Sequence, residues 1–365
     1  MGFTAGIIGL PNVGKTTIFN ALTAVGAEAS SYPFCTIEPN TARVPFTEHR
    51  LQTLVSLVAP PKWAAATIQF MDVAGLVKGA SKGEGLGNQF LGHIRTVDIL
   101  IHVVRCFENS KVAHVEGVLT PVADMETVNT ELLLADLETL HKRTIKIKKL
   151  IRGGDKKLID TLKIIERIEM ALDQGQPARS VPLLTGEEAR ILKELDLLTA
   201  KEVLYLANVD EGDLQGQSSL GQQIQQQALE EGAEFLTLCG DLEASISEMD
   251  PEEQDQFRQE YTLSASSLER LVATVVSKLK LIVFYTIVGQ AVRSWIIPEN
   301  TAARKAAGRI HTDMEKGFIK AEVLAYDTLI SAGSWSDARQ EGFIRQEGKH
   351  YLVQDGDIVL FRFNV

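Results

Sequence analysis

The stretch from Gly9 to Thr17, which reads G-L-P-N-V-G-K-T-T, limits the possible folds more than any other part of the chain. It fits the phosphate-binding pattern G-x-x-x-x-G-K-[ST], and the apolar run from Ala5 to Leu10 before it predicts a strand. Ile18 to Leu22 predict a helix after it. In this context, backbone N–H groups and the positive end of the helix dipole surround phosphate oxygens. The sequence therefore predicts an α/β fold with a P-loop NTPase domain of the Ras-like G-domain type.

Residues inside the P-loop have separate expected roles. Lys15 would reach the β- and γ-phosphates and act in catalysis, and the Thr16 hydroxyl would hold Mg²⁺. Asn12 has two open interpretations: it helps to bind K⁺ in place of an arginine finger, or it serves only the turn. We expect the nucleotide to contact the loop at Gly9, Asn12, Val13, Gly14, Lys15, Thr16 and Thr17.

The segment from Asp72 to Gly75 has the D-x-x-G signature of nucleotide switches and follows the alternating strand pattern of Thr67–Met71. We expect Asp72 to meet Mg²⁺ through water and the Gly75 N–H group to bond to the γ-phosphate. The loop before this strand contains Thr36, at the distance from the P-loop where switch proteins place a threonine on Mg²⁺. The predicted metal ligands are therefore Thr16, Thr36 and Asp72.

Leu76 stands where Ras-like GTPases carry the glutamine that orients the attacking water. A leucine cannot hydrogen-bond to water, so either hydrolysis is slow or another group positions the water. Four glycines between Gly79 and Gly87 indicate a mobile segment beside it. His114 lies in a loop after the buried strand Asp98–Val104, but a lone loop histidine is usually only exposed. The residues by themselves therefore do not favour a catalytic role for His114.

The base-binding motif departs from the guanine-specific pattern. Asn208–Glu211 follows a buried strand, Glu202–Ala207, at the position where GTPases carry N-K-x-D. Val209 replaces the lysine that covers the base, and the longer Glu211 occupies the aspartate position, where it would misplace the bidentate contact to guanine. Adenine loses nothing by this change, which favours ATP or relaxed base selectivity. In a competing register Asp210 reads guanine, although it lies one residue short. We expect Asn208, Val209 and Glu211, together with Gly75, to contact the nucleotide.

The middle of the chain has the apolar spacing of two long helices. A spacing of four and three residues predicts an antiparallel hairpin or a short coiled coil; its positions are Leu133, Leu137, Leu140, Thr144, Ile147 and Ile151, then Leu158, Leu162, Ile165, Ile168 and Leu172. The sequence from Lys142 to Arg167 contains ten basic residues and only three acidic ones, in a chain of net charge −11. Such a run is often only a solvated face, but the local reversal of sign favours contact with a phosphate backbone.

The last part of the chain alternates strand-like segments with turns, which predicts a small α+β binding module. The predicted strands are Leu281–Val288, Arg293–Ile297, Phe318–Ala325, Tyr351–Val353 and Ile358–Phe363. We therefore predict a discontinuous nucleotide-binding domain at 1–123 and 201–278, a helical insertion at 124–200 and a C-terminal domain at 279–365.

Composition excludes several other classes of protein. The acidic net charge argues against a protein that coats nucleic acid uniformly, so any RNA contact needs a local patch. Cys35, Cys106 and Cys239 lie far apart and form neither a metal-binding pattern nor a disulfide framework. No secretion signal or membrane-spanning run is recognisable. We expect a soluble, cytoplasmic monomer.

Several of these segments together resemble the YchF family, the ribosome-binding ATPase branch of the Obg-type P-loop proteins, also called EngD. The likeness is in the P-loop, S-Y-P-F-C-T-I-E-P-N at Ser31–Asn40, the D-x-x-G segment and Asn208–Glu211, and it extends through Ile310–Ile319 and Val353–Val365, which resemble the family's TGS domain. The resemblance implies a G domain with a helical insertion, an α+β ubiquitin-like TGS domain, and a preference for ATP over GTP. It also implies Mg²⁺ at Thr16 and Thr36, a catalytic role for His114, and binding of ribosomal RNA by the basic hairpin and the TGS domain.

Three functions remain in competition. The first is a slow ATPase switch that binds the ribosome. The second is an Obg-type GTPase with relaxed base selectivity that binds the ribosome or RNA. The third, motivated by Leu76, is an RNA- or ribosome-binding sensor with negligible turnover.

Overall fold

The computed structural model describes residues 2–24, 28–29, 39–75, 79, 86–109, 118–151, 155–260, 266–289 and 291–364. The chain divides into an N-terminal unit, Met1–Arg43 with Gln69–Leu271, and a C-terminal unit, Val44–Ile68 with Val272–Val365. Residues 44–68 thus group with the C-terminal unit, although they lie between the P-loop and Asp72 in sequence. The finer division at 1–123, 124–200, 201–278 and 279–365 stays a prediction.

The strands of the described residues alternate with helices through most of the chain. In chain order they are β1 Thr4–Ile8, β2 Glu28–Ala29, β3 Asn40–Phe46, β4 Lys62–Ala64, β5 Ala66–Asp72, β6 Ile99–Cys106, β7 Glu202–Val209, β8 Glu234–Leu238, β9 Leu281–Val288, β10 Ala291–Pro298, β11 Phe318–Ala325, β12 Arg345–Glu347 and β13 Asp357–Phe363.

The helices differ widely in length, from one turn to thirty residues. They are α1 Lys15–Ala24, α2 His49–Val58, α3 Leu86–Thr96, α4 Pro121–Leu150, α5 Lys156–Asp173, α6 Gly186–Leu195, α7 Ser219–Glu230, α8 Gly240–Ser247, α9 Pro251–Glu260, α10 Ser267–Lys278, α11 Ala303–Ile310, α12 Thr312–Lys316, α13 Tyr326–Ala332 and α14 Trp335–Gln340. Short 3₁₀ turns lie at Ala178–Ser180, Leu198–Ala200 and Glu211–Asp213. Within these described helices, none is long and apolar enough to cross a membrane.

The sheet of the N-terminal unit has the strand order β2-β3-β5-β1-β6-β7-β8. Strands β5, β1, β6, β7 and β8 run parallel to one another. All eight residues of β6 are buried, as expected for a central parallel strand with both faces covered. Because parallel strands share a carboxyl edge, the loops that follow these strands come together there, where open α/β sheets bind ligands.

The helical arm, which we define as α4 to α6 (residues 121–195), packs along the predicted apolar spacing. One hydrophobic cluster joins its helices and contains Leu133, Leu137, Leu140, Ile147, Ile151, Leu158, Leu162, Ile165, Ile168 and Leu172. Thr144 is buried among them, and its hydroxyl donates to Glu169 Oε1 at 3.3 Å. The Asp155 carboxylate accepts from the backbone N–H groups of Lys157 and Leu158, which caps α5. The predicted packing of the two long helices is therefore confirmed.

The C-terminal unit has its own sheet, in the order β12-β11-β13-β9-β10-β4. The strand predictions near β9, β10, β11 and β13 are confirmed, but the strand predicted at Tyr351–Val353 is wrong. These residues form only an isolated bridge, between Ala302 and Leu352. The ladder cannot extend, because the chain opposite turns into helix α11 at Ala303.

Residues 44–68 add the edge strand β4 and helix α2 to this unit. Arg50 holds the segment in place: its guanidinium donates to Asp355 Oδ2 at 2.7 Å and to Glu48 Oε2 at 2.8 Å. Asp355 also accepts from the backbone N–H of Val283 at 2.9 Å, and the Tyr285 hydroxyl donates to Glu48. These contacts explain why the segment belongs to the C-terminal unit.

Candidate nucleotide-binding site

The P-loop connects β1 to α1 through backbone conformations that favour glycine. Gly9 and Gly14 have φ angles of 147° and 94°, and Asn12 has a φ of 61°. A Cβ atom on Gly9 would lie 2.4 Å from the carbonyl oxygen of Val103, and one on Gly14 would lie 2.1 Å from Nδ2 of Asn208. The two glycines are therefore required by close approach as well as by conformation, and the loop is pressed against β6 and Asn208.

Lys15, the first residue of α1, lies folded into the loop. Its Nζ donates to the carbonyl oxygen of Leu10 at 2.6 Å, and only 7% of the residue is exposed. Burial lowers the pKa of Lys15 to about 8, and the negative charge of Asp72 opposes that shift. Phosphate oxygens in the loop would supply the negative charge that a buried ammonium group needs, so this lysine suits an anionic ligand.

Thr16 and Asp72 form the oxygen-rich part of the site. The Thr16 hydroxyl donates to Asp72 Oδ2 at 2.9 Å, which joins the start of α1 to the end of β5. Burial raises the pKa of Asp72, although the hydrogen bond from Thr16 and the charge of Lys15 act in the opposite direction. Hydroxyl and carboxylate oxygens are ligands that Mg²⁺ accepts, usually with phosphate oxygens and water. These two residues therefore fit the predicted metal, whereas Thr36 lies outside the described residues.

Gly75 lies against the P-loop. A Cβ atom on Gly75 would be 3.0 Å from the backbone nitrogen of Pro11 and 3.2 Å from Nζ of Lys15. The D-x-x-G segment thus approaches the lysine that is expected to reach the terminal phosphates. The structure brings Lys15, Thr16, Asp72 and Gly75 together at the carboxyl edge of the sheet.

Two cavities extend from the P-loop along this edge. The phosphate side has a cavity of about 270 Å³, lined by Asn12, Gly14, Lys15, Thr16, Thr17, Phe107, Asn109, Asn208 and Asp241. The base side has a cavity of about 320 Å³, lined by Phe107, Asn109, Asn208, Val209, Asp210, Glu211, Gly212, Cys239 and Asp241. The shared lining residues indicate one cleft in which a nucleotide could extend from phosphates to base.

Asn208 braces the loops around this cleft. Its Nδ2 donates to the carbonyl oxygen of Val13 at 3.0 Å, and its Oδ1 accepts from the backbone N–H of Gly240 at 2.9 Å. The residue is 5% exposed. Its amide therefore connects the P-loop to the loop after β8, and both of these hydrogen bonds go to the protein backbone.

The other two predicted base contacts differ in exposure. Val209 lies at the end of β7 and is 2% exposed. Its apolar side chain supplies no cation to the base-side cavity. Glu211 is exposed at the start of a 3₁₀ turn and lines the cavity. Asp210, from the competing register, also lines it, and its Oδ2 accepts from the backbone N–H of Glu108 at 3.3 Å.

Sequence reasoning missed Phe107 and Asn109, which line both cavities together with Asp241. Arg105 supports the first two: its guanidinium lies 4.5 Å from the Phe107 ring centroid and donates to the carbonyl oxygens of Phe107 and Asn109, both at 3.2 Å. These residues could have been found from the topology, because residues just after β6 and β8 must lie at the carboxyl edge of the sheet. His114 and Leu76, by contrast, lie outside the described residues.

Comparisons with known proteins agree with this architecture. Residues 4–137 match the family model MMR_HSR1, described as "50S ribosome-binding GTPase", and residues 281–364 match YchF-GTPase_C, described as "Protein of unknown function (DUF933)". The chain is 45% identical over 368 residues to "Ribosome-binding ATPase YchF" of Bacillus subtilis (strain 168), and 44% identical over 365 residues to the protein of that name from Escherichia coli O157:H7. Both alignments cover 100% of each chain.

A solved structure shows the same fold. It is described as "Structure of the Schizosaccharomyces pombe YchF GTPase" and is 34% identical to this chain, with a TM-score of 0.88 over 99% of this chain and 98% of that one. The predicted P-loop fold with a further C-terminal domain is confirmed, as is the family resemblance found in the sequence. The full-length matches, together with the P-loop and D-x-x-G geometry, show that the chain belongs to the YchF family.

Proposed function

We propose that this protein is a cytoplasmic, monomeric switch that binds ATP in preference to GTP, hydrolyses it slowly and associates with the ribosome. The name of the bacterial relatives, ribosome-binding ATPase, supports ATP hydrolysis and association with the ribosome. The observation that carries the choice of nucleotide is the base-side cavity, where Val209 is buried and Glu211 is exposed.

The preference for ATP follows from what guanine would lose in this cavity. A guanine site needs a carboxylate placed to accept from N1–H and the 2-amino group, and Glu211 is one methylene longer than the aspartate of that motif. Val209 cannot cover the base as a lysine would. Adenine has neither of the two donors, so it is not penalised by these changes, whereas a site that hydrogen-bonds one base rejects its analogues strongly.

Hydrolysis would be slow because the position of the water-orienting glutamine is occupied by Leu76. Lys15 would hold the β- and γ-phosphates, and Thr16 and Asp72, with Thr36 by family resemblance, would hold Mg²⁺. That ion would neutralise charge on the phosphates. His114 is the candidate for positioning the water and rests on family resemblance alone. For K⁺ at Asn12, the positive φ of that residue agrees equally with a simple turn role.

The ribosome contact would use the basic part of the helical arm, with the C-terminal TGS domain as a second contact. The exposed basic residues there are Lys142, Arg143, Lys146, Lys148, Lys149, Lys156, Lys157 and Lys163. Lys142, Arg143 and Lys146 also line a cavity of about 280 Å³ beside α6. Positive side chains around a recess suit the phosphate backbone of ribosomal RNA.

Titration calorimetry with ATP and GTP in the presence of Mg²⁺ tests the nucleotide preference. We expect tighter binding of ATP. A tenfold preference for GTP, about 1.4 kcal/mol, would contradict the proposal. Turnover of ATP that does not exceed that of a Lys15→Ala control would instead favour a sensor with negligible activity.

A GTPase with relaxed base selectivity is the second candidate, because the Asp210 carboxylate also lines the base-side cavity. The double variant Val209→Lys, Glu211→Asp separates the two functions. If Glu211 occupies the base-reading position, this variant should gain about tenfold in GTP affinity relative to ATP. If Asp210 reads the base, Asp210→Asn should remove GTP binding selectively and the double variant should change little.

Ribosome binding should depend on the arm. Replacing Lys146, Lys149, Lys156 and Lys157 by glutamine should weaken binding and reduce its dependence on salt, because fewer counterions are released from RNA. Cosedimentation with ribosomes over a series of salt concentrations measures both effects. Arg43→Gln, an exposed change in the N-terminal unit outside the arm, is the control. An unchanged salt slope in the fourfold variant would move the contact away from the arm.

A further inference from the structure

Helix α4 begins beside the nucleotide-binding part of the sheet and ends among the basic residues of the arm. It carries three buried acidic residues, Asp124, Glu131 and Asp136, which are 3%, 5% and 0% exposed. Burying a carboxylate is costly unless it is hydrogen-bonded. The partners of Glu131 and Asp136 therefore show which segments of the chain α4 holds.

Asp136 holds the segment that leads into β7. Its carboxylate accepts from the backbone N–H groups of Leu198 and Thr199, both at 2.8 Å, and from the Thr199 hydroxyl at 2.7 Å. Strand β7 then runs to Asn208 and Val209 at the base side of the cleft. This contact fixes α4 to the turn before β7, at the end of that strand opposite to Asn208 and Val209.

Glu131 contacts the segment of the chain that follows Asp72. Its Oε1 accepts from the backbone N–H of Gly79 at 2.6 Å. Gly79 has a φ of 86°, in the region that favours glycine, and it follows Gly75 by four residues. Gly75 in turn lies against Pro11 and the Lys15 ammonium group. The chain after Asp72 therefore touches the P-loop at Gly75 and α4 at Gly79.

We infer that Glu131 is a positioning residue that couples the γ-phosphate side of the cleft to the helical arm. This inference rests on the proposed function, since it makes the RNA affinity of the arm depend on which nucleotide is bound. Gly75, to which we expect the γ-phosphate to bond, and Gly79, which Glu131 holds, are four residues apart in the chain. Because α4 has thirty residues and is about 45 Å long, a small change at its root is carried to its basic end.

The coupling has a thermodynamic signature that a purely structural role would not produce. If the arm differs between the ATP and ADP states, its ligand must bind the two states with different affinities, and the effect must be reciprocal. Loss of the Glu131 contact should bring the ratio of the two affinities toward one. Loss of stability alone would lower both affinities and leave their ratio unchanged.

The experiment measures the affinity of the full chain for purified ribosomes with Mg²⁺ and either ADP or a non-hydrolysable ATP analogue. Glu131→Met keeps the length of the side chain but removes the acceptor, and Glu131→Gln keeps an acceptor oxygen. We expect Glu131→Met to move the ratio about tenfold toward one, because it removes the acceptor of the Gly79 N–H group. Glu131→Gln should retain most of the wild-type ratio.

Glu138→Met is the matched control, because Glu138 lies on the same helix but is exposed and pairs with Lys142. It should change both affinities together. A wild-type ratio in Glu131→Met would overturn the inference and leave the proposed function intact, whereas absence of ribosome binding by the wild-type protein in both states would overturn the proposed function.

A second measurement keeps the inference testable if Glu131→Met does not fold. Amide hydrogen exchange of the wild-type protein should show different protection at the start of α4 with ADP and with the ATP analogue. Equal protection in the two states would overturn the inference.

Discussion

The two sides of the nucleotide cleft are built in different ways. The phosphate side consists mainly of one short loop, in which Gly9 and Gly14 are each required by backbone conformation and close contact. The base side is assembled from three separate segments, at residues 107–109, 208–212 and 239–241. A local motif therefore defines how phosphates are held, whereas the arrangement of loops around the sheet determines which base fits.

The largest expected effect is on the phosphate side. Lys15→Met should lower the affinities for ATP and GTP together by about 100-fold or more, because it removes a charged contact to the phosphates that both nucleotides share. Titration calorimetry measures both affinities, with Lys62→Met as an exposed control. A loss confined to one nucleotide would show that Lys15 also affects the base side.

The same variant has an opposite effect on the nucleotide-free protein. Burial lowers the pKa of Lys15 to about 8 from an ordinary value of 10.5, so the unfolded chain binds more protons between these pH values. The free energy of unfolding should rise with pH across this interval. At pH 7 the charged lysine destabilises the fold, and Lys15→Met should raise the free energy of unfolding by roughly 1–3 kcal/mol. Denaturant titrations of both proteins at pH 7 and pH 10 measure this, and an equal rise with pH in both would contradict it.

A smaller effect is expected where the two sides are joined. Asn208→Ala removes the bridge between Val13 and Gly240 and leaves the buried N–H of Gly240 without its acceptor. This should cost about 1–3 kcal/mol of stability and weaken binding of ATP and GTP equally. Thermal unfolding and calorimetry measure the two effects. Asn208→Asp keeps the acceptor for Gly240 but places a buried carboxylate oxygen against the Val13 carbonyl, so it should also lower stability. A loss of affinity for one base only would mean that Asn208 reads the base directly.

The difference between the two sides also explains what the sequence could predict. The P-loop, the approach of Asp72 to Thr16 and the packing of α4 on α5 depend on short motifs or regular spacing, so they are readable from one chain. Phe107 and Asn109 carry no motif and reach the cleft only through the strand order.

Residues 44–68 are a second case in which local patterns were insufficient. They join the C-terminal unit through pairing of β4 with β10 and through the contact of Arg50 with Asp355, each between segments more than 200 residues apart. Nothing in the sequence near Arg50 indicates so distant a partner. Regular spacing predicts an element, but it does not identify the sheet that the element joins.

The smallest expected effect concerns Phe107, which lines both cavities. If its ring packs against the base, Phe107→Ala should lower the affinities for ATP and GTP alike by about fivefold, or about 1 kcal/mol, because aromatic stacking tolerates any base. Phe107→Tyr should retain most of the binding, and calorimetry with both nucleotides measures each variant. A loss for ATP alone would place base discrimination at Phe107. An equal loss of affinity for ATP and GTP would assign base discrimination to Val209 and Glu211. The base side would then combine one aromatic contact that accepts any base with one short segment that discriminates between adenine and guanine.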